Sequence, residues 1–221
     1  MSEAPQPRLR GFEKNRLEAL IDGIYAVALT LLVLDIKLPE GQAFLTNDAL
    51  WERLLELERH FAIYVISFVV IGMYWISHHI QFHFIRYTDR RLIWLNMFYL
   101  LMISFVPFAT DLMGDHKDLV LPCEIYGLTL LLLSGLSFLH LDYLSRHTYL
   151  ATHELTPEVV TLIKRRILLF TIIPLTSMVM AFYSTHVAVY SYLLLVLAHF
   201  FTGPVDDRIH TLPADDPSEN S

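Results

Sequence analysis

Hydrophobic and polar positions fall into long blocks along this chain rather than alternating residue by residue. The first block, residues 16–36, reads RLEALIDGIYAVALTLLVLDI, and between 23 and 34 it holds no charge, no proline and no strongly polar group except the Thr30 hydroxyl. A membrane-crossing helix needs about 20 mostly apolar residues, so this block predicts a first helix over 12–37, stopped by Pro39-Glu40-Gly41. Comparable blocks predict spans over 60–82, 90–113, 119–143, 158–183 and 186–202. Pro107 should kink the third span or end its regular part, and 114–117 should form a short loop. The acidic stretch 42–60 is predicted helical from Asp48 onward. The expected fold is all-α, an integral membrane protein with six transmembrane helices in a single repeat. Its helical domain covers 12–203, between a disordered tail over 1–11 and a polar tail over 204–221.

Winding the first helix at roughly 100° per residue sorts it into stripes. Arg16, Leu20, Gly23, Val27, Thr30, Leu31 and Leu34 share one, while Asp22, Ala26, Leu29 and Val33 share another. A helix facing lipid all round has no need of such a division. The expectation is that the Asp22 stripe docks on the rest of the protein and that the Val27 stripe faces a pathway or a second copy. Copies around a symmetry axis would turn each position into a ring. Rings of Val27, Leu31 or Leu34 would make hydrophobic constrictions, and a Thr30 ring would offer hydroxyls to a partly dehydrated ion. On periodicity alone an ordinary packing face explains the stripe equally well.

Charge then fixes the expected topology. Lys and Arg number four in the first 16 residues, three in the second connection, four between 146 and 166 and one in the C-terminal tail, against four on the other side. The bias places both termini in the cytoplasm. With 54% hydrophobic residues the chain reads as a membrane protein, and its formal charge of -7 argues against a nucleic-acid partner while suiting cations. A single cysteine, Cys123, excludes an intrachain disulfide framework. The run Lys164-Arg165-Arg166 reads most simply as an anchor against anionic lipid.

The order Arg16, three residues, Leu20-Ile21-Asp22 and then GIYAVALTLLVLDI resembles the signature of the transmembrane protein 175 family of potassium channels. That family carries Arg-x-x-x-Phe-Ser-Asp at the start of its first helix; here Leu20 and Ile21 replace the Phe and Ser, so a contact through that hydroxyl cannot be made. YWISHH and LIWLNMFYLL resemble the family's second and third helices. The resemblance implies a passive, moderately potassium-selective channel in the lipid bilayer, passing other monovalent cations less well. It implies a homotetramer with the first helix of each subunit lining the pore, Val27 as the constriction and Thr30 in selectivity. It also makes Arg16 and Asp22 structural latches, for which Trp75, His78 and Asn96 are candidate partners. A prokaryotic plasma membrane is the expected location.

The remaining candidate chemistry is thin. His79 and His83 lie one helical turn apart but no third ligand stands at diagnostic spacing, so no metal site is expected. A haem held by His140 and His199 is conceivable only if they lie at matching depth, and no cofactor is expected. Six acidic residues between Asp35 and Glu58 could gather cations at a pore mouth, Asp35 most directly, or could simply form a solvated face. No nucleophile paired with a base and no phosphate-binding glycine loop occurs, so the chain is not read as an enzyme. The alternatives to a channel are a secondary transporter, a membrane redox protein using the histidines, or a family member that has lost conduction. An uncharged midplane in the first helix favours the channel over the transporter.

Overall fold

The computed structural model describes residues 14–38, 46–116 and 118–195. Among these residues seven helices follow in order: α1 (Lys14–Leu31), α2 (Asn47–Glu56), α3 (Glu58–His83), α4 (Arg90–Asp115), α5 (Val120–Arg146), α6 (Pro157–Ala181) and α7 (Thr185–Ser191). A 3-10 turn, Leu32–Asp35, closes α1. No strand occurs among the described residues. Both expected tails, residues 12 and 13, Pro39-Glu40-Gly41, Lys117, and the sixth span beyond 195 with His199 lie outside them.

Helix boundaries follow local chemistry. Thr46, Asp89, Thr156 and Ser184 each accept a backbone N–H from the first turn of the helix they precede, satisfying a donor that has no partner within the helix. Pro157 opens α6, where its missing N–H costs nothing. Pro107 does not end α4, which continues to Asp115; lacking an N–H, it cannot donate to the helical ladder there. Pro174 sits inside α6 in the same way.

Among the described residues, four stretches are long and apolar enough to cross a membrane: Lys14–Asp35, Glu58–His83, Arg90–Asp115 and Val120–Arg146. The chain is therefore a multi-pass membrane protein. In α6 the three cations at 164–166 lie well inside the helix. The uncharged remainder rises only roughly 22 Å, short of a hydrocarbon core of about 30 Å. The described part of the sixth span lies in an apolar helical stretch, Thr185–Leu195, with a turn at Tyr192.

The helices pack in a row, α1 on α4 and α3, α5 on α4 and α6, and α7 behind α6. Their interfaces carry buried polar groups that water would otherwise have to satisfy. Thr110 donates to Ser67 at 3.1 Å, which donates to Tyr126 at 3.1 Å, joining α4, α3 and α5. Tyr74 meets the Leu130 carbonyl at 3.0 Å and Ser134 at 2.8 Å. At one end, the loop before α4 and the loop before α6 are stitched together: the Arg86 and Tyr87 N–H groups reach the Leu150 carbonyl and the Thr152 N–H reaches the Phe84 carbonyl. His83 and Glu154 face each other across this seam at 3.2 Å.

The Lys164-Arg165-Arg166 run is dispersed in space rather than presented as one cluster. Lys164 is held by Asp142 at 3.2 Å, and Arg166 is buried with its guanidinium over the Phe170 ring, so only Arg165 is exposed.

Candidate functional site

The face by which α1 docks differs from the expected one. Leu17, Ile21, Tyr25, Ala28 and Leu32 are buried, a stripe of i, i+4 and i+3 steps centred one position ahead of the Asp22 stripe. Asp22, Ala26 and Val33 are exposed and Leu29 is half-buried. Docking on the expected stripe would take the Asp22 carboxylate fully out of water. The observed stripe buries aliphatic side chains and one tyrosine, whose hydroxyl meets that of Tyr99 at 3.0 Å.

Opposite this docked stripe stands the face carrying Leu20, Gly23, Val27, Thr30, Leu31 and Leu34, all exposed in the protomer. Val27 is 57% exposed and Leu34 60%. Nothing lies within 4 Å of where a Cβ would stand on Gly23. Side chains at i and i+3 eclipse in a 3-10 turn, so the closing turn keeps Leu34 in line with Leu31. The Thr30 hydroxyl donates back to the Ala26 and Val27 carbonyls at 3.0 and 2.9 Å. Its proton is thereby committed to the helix, and its oxygen lone pairs are left outward as acceptors.

The polar contacts beside this face involve most of the latch candidates, paired differently from a single cluster. The Trp75 indole N–H donates to Asp22 Oδ1 at 2.9 Å, tying α1 to α3. His78 and Asn96 bond to each other instead, joining α3 to α4. Asn96 spends its amide N–H on the Leu92 carbonyl at 2.8 Å, which leaves its oxygen to accept from His78 Nε2 at 3.0 Å. The His78 ring stacks on Tyr99, centroids 4.5 Å apart. Arg16 is exposed, with no ion pair to any described residue; Glu18 approaches His79 at 3.9 Å. Asp35, the pore-mouth candidate, closes the 3-10 turn half-buried, with one carboxylate oxygen enclosed and unpartnered among the described residues.

Several participants were not picked out by sequence reasoning. Tyr25 and Tyr99 join α1 to α4. Gln81 bridges Ser137 at 2.6 Å and His140 at 3.0 Å, joining α3 to α5. Tyr25 was findable, since it continues the Leu17, Ile21 spacing; Gln81 gave no local sign of its partners. His140 thus sits in the bundle core on a glutamine, and His83 lies against Glu154, so these rings are engaged in side-chain contacts.

Residues 16–107 match the family model described as endosomal/lysosomal potassium channel TMEM175. The match runs from Arg16 to Pro107 and takes in the exposed stripe and all latch candidates. Over that stretch the chain is similar to the TMEM175 family. Its relatives include a Streptomyces collinus protein named a potassium channel, 38% identical over 104 residues, which cover 47% of this chain and 49% of that one. A chicken relative, named an endosomal/lysosomal proton channel, is 36% identical over 112 residues, 48% of this chain and 22% of its own length. The chain thus spans about half the length of its bacterial relative. The crystal structure of a lysosomal potassium-selective channel TMEM175 homolog from Chamaesiphon minutus superposes with a TM-score of 0.71 at 26% identity, covering 87% of this chain and 98% of that one. The TMEM175 family is one of ion channels, not of enzymes.

Proposed function

We propose that the protein is a passive, moderately potassium-selective cation channel, built as a homo-oligomer in which the exposed stripe of α1 from each subunit lines the pore. The observation that carries this reading is the two-sidedness of α1. One stripe is buried against α3 and α4 while the other presents Val27, Thr30, Leu31 and Leu34 outward from the edge of the protomer. One copy cannot enclose a path, whereas four around an axis would convert the stripe into rings. Val27, with Leu31 and Leu34 beyond it, would form the hydrophobic constriction, and the outward lone pairs of Thr30 would meet a partly dehydrated cation. Asp35 would stand near the mouth. Asp22 with Trp75, and His78 with Asn96, would hold α1 at the angle the rings require. A prokaryotic cell membrane with both termini cytoplasmic fits the Lys and Arg distribution.

The chicken relative's printed name raises proton conduction as a second possibility. The stripe from Gly23 to Leu34 carries no titratable side chain, which favours a partly hydrated metal cation over a relay of protonatable groups. The deciding experiment is flux from liposomes containing the purified protein, with potassium, sodium, N-methylglucamine and proton gradients applied separately. Uncoupled flux in the order potassium, sodium, N-methylglucamine is expected. Flux only with a proton gradient, or no flux from folded and oligomeric protein, would overturn the proposal.

A further inference from the structure

We propose that the groove at the start of α4 binds the headgroup of an anionic phospholipid. The groove has a volume of about 450 Å³ and is lined by Arg90, Arg91, Trp94, Leu95, Phe98 and Tyr143. Both arginines are exposed, and neither makes an ion pair with any described residue. The carboxylate beside them is already committed: Asp89 accepts the Leu92 N–H at 2.8 Å and the Tyr143 hydroxyl at 2.6 Å. Two cations in the first turn of a 26-residue helix also stand against its dipole. An anion seated there relieves that repulsion and gains charge-assisted bonds from both guanidinium groups.

The stripe running away from the groove matches the layering of a phospholipid. Arg90, Trp94 and Phe98 repeat at i+4, and Leu101 and Phe105 continue the same side; all five are exposed. Cation, indole and then wholly apolar surface is the order met from headgroup to acyl chain. Several other cations at this end are already engaged. Arg146 and Lys164 share Asp142, Arg166 is buried, and Arg86 lies over the Tyr87 ring. The apolar groove selects a lipid over a free phosphate, because a soluble anion gains nothing from Trp94, Leu95 and Phe98.

The test uses the full chain in non-ionic detergent, with phosphatidylglycerol and phosphatidylcholine of matched acyl chains added and retained lipid counted by native mass spectrometry. Phosphatidylglycerol should be retained in preference, and R90Q/R91Q should lower that preference by roughly tenfold, since each basic side chain near an anionic surface contributes a several-fold factor. R90K/R91K should keep most of it. Equal retention of the two lipids, an unchanged preference in R90Q/R91Q, or equal displacement by glycerol phosphate would overturn the proposal, the last by showing a free-anion site. A second measurement needs no change of charge: phosphatidylglycerol brominated on its acyl chains should quench the tryptophan fluorescence, and W94F should remove much of that quenching. Quenching unaffected by W94F, as when a second copy covers the groove, would equally overturn it.

Discussion

Removing the Trp75 to Asp22 hydrogen bond should loosen α1 from α3 by an amount a double-mutant cycle can isolate. The indole N–H lies 2.9 Å from Asp22 Oδ1. A hydrogen bond to a charged group contributes about 1.5–3 kcal/mol. Both side chains are exposed in the protomer, which puts the expectation at the lower limit, about 1.5 kcal/mol. Trp75→Phe removes the donor and keeps an aromatic ring for the stacking on His79, whose centroid lies 5.5 Å away. Asp22→Ala removes the acceptor. Because each single change already breaks the bond, the double variant should be more stable than the sum of the two losses predicts. For a chain of this length a coupling of that size corresponds to about 3–6 °C in apparent Tm, read by circular dichroism on protein in detergent. Additivity within about 0.5 kcal/mol, the range expected of independent sites, would refute the latch and leave Asp22 as a solvated charge on the flank of α1.

The pore reading makes two further predictions. Val27→Ala should raise leak conductance in planar bilayers by widening and wetting the constriction, whereas unchanged conductance would remove Val27 from that role. Thr30→Val keeps the size of the ring and deletes the hydroxyl, so the potassium to sodium permeability ratio from reversal potentials should fall; an unaltered ratio would count against a Thr30 ring. A control away from the pore is Gly127→Ala, whose Cβ would stand 2.5 Å from Met178 Cγ and 3.2 Å from the Tyr192 hydroxyl. Overpacking there should cost about 1–3 kcal/mol and lower Tm while leaving ion preference as it was.

What the sequence disclosed, and what it withheld, divides by the range of the interactions. Helix positions were legible because they are set by runs of apolar residues and by caps such as Asp89 and Thr156, which act within one turn. The exposed stripe of α1 was legible for the same reason. The docked stripe was misplaced by one position, because Asp22 looked like an anchor to be buried when it is a flank residue reaching outward to one indole. The pairing of His78 with Asn96 could not be read from either helix alone, since it depends on the depth at which α3 and α4 cross. The three cations at 164–166 formed a block in sequence and dispersed in space, one to Asp142, one into the core and one outward. A charge run shows how much charge is present and says little about where helix rotation sends it.

Helix α4 stands, with α3, between α1 and the rest of the bundle. It packs α1 on one side and α5 on the other, and its polar contacts divide accordingly: Tyr99 bonds Tyr25 of α1, while Thr110 reaches Ser67 and through it Tyr126 of α5. Asn96 meanwhile fixes α4 to α3 through His78, one helical turn along α3 from the tryptophan that holds Asp22. Among the described residues, the face proposed to line the pore is held chiefly through α3 and α4. That partition agrees with the family match, which begins at Arg16 and ends inside α4. It also places the arginines proposed to meet lipid on a helix whose movement would be felt both at Tyr25 and in the bundle behind.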